Sequence, residues 1–362
     1  MGPTLSAILD RVRDAAAHGA PLVIRGGGSK DFYGEPGEGE VLDTRALSGI
    51  VIYEPSELVV TARAGTPLAE LEALLAERGQ CLPFEPPYFG GQPTVGGMVA
   101  CGLSGPARAV AGSVRDYVLG LELVNGRGEQ LVFGGQVMKN VAGYDVSRLM
   151  VGALGTLGLV TEVSLKVLPA APCDATLAFE LTQEAALKHL AAWGAQPLPL
   201  NASRWCEEDG RGRLSVRLRG ATAAVEAACR ALGGERIDSA RAAREWQDCR
   251  DHRLDWFAAL GERGLWRLSV AQTAPVMALP DTPLVEWHGG LRWVRAQEEE
   301  GAALRAAAQA AGGHATLFRT AGASAHPRFH PLAGPAEHIH RELKRQFDPA
   351  GIFNRGRLYR DF

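Results

Sequence analysis

Paired cysteines are missing from this 362-residue sequence. The six it has, Cys81, Cys101, Cys173, Cys206, Cys229 and Cys249, are widely spaced, and no C-x-x-C occurs. Neither a zinc site nor an iron–sulfur cluster is expected, and the thiols should be reduced. Lysine is scarce, limited to Lys30, Lys139, Lys166, Lys188 and Lys344. The net charge of −3 leaves no electrostatic footprint for nucleic acid. No apolar run is long enough to span a bilayer, and the start lacks the basic and apolar segments of a signal peptide. A cytoplasmic protein is expected, with any attachment to the inner membrane made through partner chains. A metal site is not expected: His338 and His340 would face different ways on a helix, and His326 and His330 sit beside prolines.

Glycine, by contrast, is plentiful. The stretch from Pro21 to Lys30 runs a short β-branched strand into Gly26-Gly27-Gly28, then a hydroxyl (Ser29) and a cation. Without Cβ atoms, successive backbone N–H groups can crowd onto one anion, and Arg25 and Lys30 add charge. One such loop would be ordinary. Further glycine clusters follow at Thr94-Val95-Gly96-Gly97, Gly112-Ser113 and Gly152 to Gly158. Together they imply an extended ligand laid along exposed backbone, and a dinucleotide fits. A Rossmann site is excluded, because Asp31-Phe32-Tyr33-Gly34-Glu35-Pro36 does not open a helix after the glycines.

The pattern predicts a first helix built on Leu5, Ile8, Leu9 and Val12, then strands Leu22–Arg25, Glu40–Asp43, Gly49–Tyr53 and Leu58–Arg63. A helix follows, with Thr66 as its N-cap and Pro67 at its first position. Asn125-Gly126-Arg127-Gly128 turns a hairpin between Val118–Val124 and Glu129–Phe133. Ala170-Ala171-Pro172 marks a boundary. Beyond it the order β-α-β-β-α-β, from Thr176 to Asp238, is that of a ferredoxin-like unit. A polar helix is expected over Arg241–Leu260, with strands at Leu265–Ala271, Val285–Trp287, Leu291–Arg295 and His314–Arg319. Arg267 and Arg292 alternate with apolar neighbours on their strands. Each is either a solvent-facing arginine or a holder of a substrate carboxylate. His288 and His330 are candidates for a general base.

Arg25-Gly26-Gly27-Gly28-Ser29, Gly65-Thr66-Pro67, Thr94-Val95-Gly96-Gly97 and Gly155-Thr156-Leu157-Gly158 together resemble the FAD-binding domain of the vanillyl-alcohol-oxidase (PCMH-type) flavoproteins. The tail from Phe347-Asp348-Pro349 to Asn354-Arg355-Gly356-Arg357 is similar to that family's C-terminal return to the flavin. Within the family, Lys139-Asn140-Val141-Ala142-Gly143-Tyr144-Asp145 and the short second half resemble the FAD-binding subunits of bacterial glycolate oxidases. The resemblance implies an α+β fold. A PCMH-type FAD domain of two subdomains would occupy 1–169, a ferredoxin-like cap 170–325, and a segment returning to the FAD domain 326–362. It implies FAD held by Arg25, Gly26, Gly27, Gly28, Ser29, Lys30, Thr94, Gly96, Gly97, Ser113, Gly155, Gly158, Val160, Asn354 and Arg357. Ser29 stands where covalent members carry a histidine, so the FAD would be non-covalent. The activity implied is oxidation of a small 2-hydroxy acid, glycolate to glyoxylate or D-lactate, with Arg267 or Arg292 on the carboxylate. The partners implied are a larger FAD-containing subunit and an iron–sulfur subunit that takes the electrons. The other reading is a non-catalytic FAD-carrying or assembly subunit of the same complex.

Overall fold

In the computed structural model, residues 5–135, 144–322 and 324–362 are described; Lys139 to Gly143 of the resembling motif lie outside them. Helix α1 (Leu5–His18) buries Ile8, Val12 and Ala15 against β1 (Leu22–Arg25) and β2 (Glu40–Asp43), which pair in parallel. The loop joining those two strands carries the three glycines. Next come β3 (Ile50–Glu54), β4 (Val59–Arg63), α2 (Leu68–Ala76), β5 (Gln80–Cys81), α3 (Val95–Cys101), α4 (Arg108–Ala111) and α5 (Val114–Tyr117). The first half closes with β6 (Val118–Val124), β7 (Gln130–Gly134), α6 (Val146–Leu149), β8 (Leu159–Lys166) and β9 (Leu168–Pro169). An antiparallel sheet in the order β3-β4-β8-β6-β7 packs Val60, Ala62, Val163 and Leu165 onto the leucine stripe of α2 and onto Met98 and Val99 of α3. Leu68, Leu71 and Leu75 are fully buried, each contributing roughly 1.5–3 kcal/mol.

Two local expectations change. Thr66 does not cap α2. Its hydroxyl accepts from Gly49 N–H at 3.0 Å and donates to Gly49 C=O at 3.1 Å, and the helix begins one residue after Pro67. The polar helix predicted over Arg241–Leu260 is two helices, α9 (Ser239–Arg250) and α10 (Asp255–Ala258). The break falls at His252, whose φ of 56° is left-handed. There Asp251 leaves the helix to accept the Tyr88 N–H at 2.7 Å.

The remaining elements are β10 (Cys173–Glu180), α7 (Gln183–Gly194), β11 (Leu200–Glu208), β12 (Arg211–Gly220), α8 (Thr222–Leu232), β13 (Glu235–Arg236), β14 (Gly264–Ser269), β15 (Leu284–Glu286), β16 (Leu291–Ala296), α11 (Gly301–Ala310), β17 (His314–Arg319) and α12 (Pro335–Phe347). The strands make one eight-stranded sheet, β13-β10-β12-β11-β15-β16-β14-β17. If each half is numbered 1 to 4 in chain order, its spatial order is 4-1-3-2. The sheet is therefore two ferredoxin-like units laid edge to edge and joined at Arg204↔Glu286 and Trp205↔Val285. Only the first unit was visible in the sequence, because the second replaces one crossover helix with the irregular segment 270–283. One sheet face carries α7, α8 and α11. On the other, Leu265, Leu291 and Trp293 meet Tyr33, Leu103 and Leu154 of the first half.

Helix α12 brings the chain back. Buried Lys344 Nζ donates to Asp348 Oδ2 (2.7 Å), Thr156 C=O (2.8 Å) and Phe353 C=O (2.8 Å). Asp348 also accepts the N–H groups of Ile352 and Phe353. The tail then bonds both ways with Leu22 at the start of β1.

Candidate functional site

The glycine loops converge. A groove of about 400 Å³ is lined by Arg25, Gly26, Gly27, Gly28, Ser29, Lys30, Thr94, Gly97, Asn354 and Arg357, with Ala100, Cys101 and Leu154. A narrower cavity of about 60 Å³ shares Ile24, Gly26, Gly97, Leu154 and Asn354 with it and adds Gly96, Gly155, Gly158 and Val160. The structure thus brings together every predicted cofactor residue except Ser113. That residue lies elsewhere, at the start of α5, where its hydroxyl and N–H meet Asp116 Oδ2. Sequence reasoning missed Cys101 and Leu154, whose apolar surroundings carry no motif.

The backbone builds this groove from close approaches. A Cβ on Gly27 would stand 1.6 Å from the Gln92 carbonyl oxygen, so only glycine lets this loop lie on the segment before α3. Thr94 accepts from Gly97 N–H at 3.2 Å and fixes the start of α3. Asn354 is the keystone. Its Oδ1 accepts the Ile24 N–H at 2.7 Å and its Nδ2 donates to Leu154 C=O at 2.6 Å, tying β1, the glycine run 152–158 and the tail together. Arg357 donates to the carbonyls of Lys30, Asp31 and Glu35.

The groove fits an anionic dinucleotide. Among the described residues, the N–H groups of Gly26, Gly27, Gly28 and Ser29 donate to no protein acceptor. Lys30 is 7% exposed; among the described residues its Nζ bonds only Ser29 Oγ (3.1 Å), lies 5.7 Å above the Phe89 ring and pairs with no carboxylate. Burial holds its ammonium below the usual lysine range. Free amides and an unpaired cation are what a pyrophosphate satisfies.

The two arginines part company. Arg267 faces the first half and places its guanidinium 5.1 Å from the Trp287 ring, which Arg108 also approaches at 4.5 Å. It lines a cavity of about 20 Å³, roughly one water. Arg292 is neither solvent-facing nor near the groove. It is fully buried on the opposite face, where Leu268 and Val285 are its cross-strand neighbours. His288 lies on the turn before β16, and His330 lies beside His314, so neither lines the Arg267 cavity.

His252, absent from the sequence reading, does line it, with Glu286 and Cys249. The ring stacks on Phe257 at 4.0 Å and meets Trp293 at 4.5 Å, and its Nδ1 has no partner. Burial, then Arg319 and Arg267, hold the imidazole well below its ordinary range, so it is neutral. No Gly or Pro marks the break that places it. Between this cavity and the Lys30 end of the groove stand the rings of Phe32, Phe89 and Phe318, packed edge to face within 6 Å of one another.

Comparison with known proteins follows these lines. A family model described as "FAD binding domain" matches residues 4–134. The Escherichia coli (strain K12) protein "Glycolate oxidase subunit GlcE" is 47% identical over 98% of this chain and 97% of its own length. "Glycolate oxidase subunit GlcD" of Bacillus subtilis (strain 168) is 35% identical, over 44% of this chain and 34% of its own. A "D-lactate dehydrogenase" of Archaeoglobus fulgidus is 28% identical over 58% and 51% of the two chains. Among solved structures, an alkyldihydroxyacetonephosphate synthase superposes with a TM-score of 0.65 at 16% identity, over 96% of this chain and 74% of that one. This last likeness speaks to the fold alone.

Proposed function

This chain belongs to the family of FAD-binding glycolate oxidase subunits, and on that footing we propose that it serves in the oxidation of a small 2-hydroxy acid. The acid is glycolate, going to glyoxylate, with D-lactate as a second substrate. The chain works beside a larger FAD-containing subunit and an iron–sulfur subunit that receives the electrons, and any association with the inner membrane runs through those partners. FAD, held non-covalently in the groove, supplies the two-electron acceptor. The observation that carries this reading is the row of unsatisfied N–H groups from Gly26 to Ser29, next to unpaired Lys30.

The chain's own residues divide the work. Gly26, Gly27, Gly28 and Ser29 hold the pyrophosphate, with Lys30 and Arg25 supplying charge. Thr94, Gly96 and Gly97 form the floor, while Gly155, Gly158 and Val160 line the narrow end. Asn354 and Arg357 close the groove, and Ser113 shapes a loop at a distance. Arg267, facing the first half, anchors the substrate carboxylate, and neutral His252 accepts the hydroxyl proton. Arg292 stands behind the sheet and has no part in this arrangement.

One observation favours the second reading, a flavin carrier that does not oxidise substrate itself. The Arg267–His252 cavity holds about one water, and aromatic rings separate it from the groove. Anaerobic titration of the isolated FAD-loaded chain with glycolate and D-lactate decides between them. Bleaching of the flavin absorbance, lost in Arg267→Met, is expected for the enzyme. A flavin that stays yellow in the isolated chain but bleaches when the partner subunits are added supports the carrier.

A further inference from the structure

Arg292 is one of the largest fully buried side chains, with none of its surface exposed. Its Nη2 donates to Ala274 C=O at 3.1 Å, but its Nε and Nη1 have no partner among the described residues. No carboxylate pairs with it among the described residues, although both other buried arginines described on this sheet have one: Arg204 has Glu208 and Glu245, and Arg217 has Glu85. A buried guanidinium without a counter-charge is among the most unfavourable arrangements a core can contain.

The turn leading into this strand is itself unusual. Trp287, His288 and Gly289 hold φ values of 52°, 54° and 98°, three left-handed residues in succession, two of them not glycine. Backbone strain of this kind persists where surroundings over-determine it, often at ligand clamps. His288 on the same turn has both ring nitrogens shut from solvent and unpartnered. Gly289 brings the turn against Arg292: a Cβ there would stand 3.7 Å from Nη2. Arg292 and Gly289 lie on the helix-bearing face of the cap, Gly289 against Leu187 of α7, while the Trp287 ring packs on the other face against the first half.

We propose that Arg292 and the strained Trp287–Gly289 turn form a binding site for a small monovalent anion, a halide or a carboxylate of one or two carbons. The anion replaces the counter-charge that the protein omits and satisfies the two free guanidinium nitrogens. Burial works in the same direction, lowering the guanidinium to about 10 while no acid opposes it. The site fixes the β15–β16 turn, and through Trp287 it bears on the interface with the first half, since Trp287 Nε1 donates to Gly105 C=O at 3.0 Å.

The test uses the FAD-loaded full chain at constant ionic strength, held with a bulky organic sulfonate. Thermal midpoints are measured while chloride, formate or acetate is titrated in. A saturable rise of about 2–4 °C is expected. Arg292→Met should abolish the rise, keep its flavin, and be the more stable of the two proteins in anion-free buffer. A response to chloride alone identifies a halide site, and a response to formate and acetate identifies a carboxylate site. A bromide-soaked crystal, independent of any variant, should show anomalous density beside Arg292. A flat titration with no such density, or a rise that survives in Arg292→Met, overturns the proposal.

Discussion

Two histidines carry a pH dependence that their positions dictate. His252 is held well below its ordinary range by burial and by Arg319 and Arg267, and His288 is held at about 4 by burial alone. An unfolded histidine titrates near 6.5. Because the folded values are depressed, the unfolded chain takes up these protons first. Stability is therefore complete above about pH 6.5 and is lost as pH falls toward 4, by up to about 1.4 kcal/mol per pH unit for each histidine. The thermal midpoint should decline between pH 7 and pH 5, and His252→Gln should flatten the decline. An unchanged slope in that variant would place the acid sensitivity in other groups. The strain at His252 is local, and no glycine or proline nearby announces it, whereas Gly289-Gly290 mark the other strained turn.

At the scale of elements, α12 acts as a strut. Lys344 lies in its last turn and Asp348 caps it, and this buried pair is saturated with hydrogen bonds to Thr156, Ile352 and Phe353. Removing one partner leaves the other buried without a counter-charge, at a cost of about 3–5 kcal/mol. Lys344→Met should lower the thermal midpoint by several degrees and reduce the flavin-to-protein absorbance ratio together, because the same contacts position the glycine run 152–158. A variant that unfolds earlier yet keeps full flavin would separate the strut from the groove. The strands and glycine loops flanking this region were legible beforehand, since alternation and glycine spacing are local signals. Leu22–Arg25, Glu40–Asp43 and His314–Arg319 form as expected. What local pattern could not reveal was burial imposed from elsewhere. The periodicity around Arg292 leaves a solvent-facing or a carboxylate-holding arginine, whereas its neighbouring strands and Ala274 of the 270–283 segment bury it.

Across the whole molecule, the cap is fastened to the first half by charge as well as by aromatic packing. Glu85, before α3, accepts from Arg217 Nη2 (2.6 Å) and Arg219 Nη1 (3.1 Å) of β12, and from the Ala107 N–H. Burial alone would raise its carboxyl, but Arg217 and Arg219 outweigh that and hold it below the usual carboxylate range. Glu85→Gln should leave FAD stoichiometry intact while speeding hydrogen exchange in β12 and α9, the elements whose docking it controls. Exchange that quickens around the glycine loops instead would mean that the two halves are not separable in this way.

Asn354 joins the first strand to a side chain 330 residues downstream. On the ribosome the second of those partners is made 330 residues after the first. The groove between them can therefore close only after residue 354 has emerged. Nascent or prematurely arrested chains should be colourless, however well their sheets have formed.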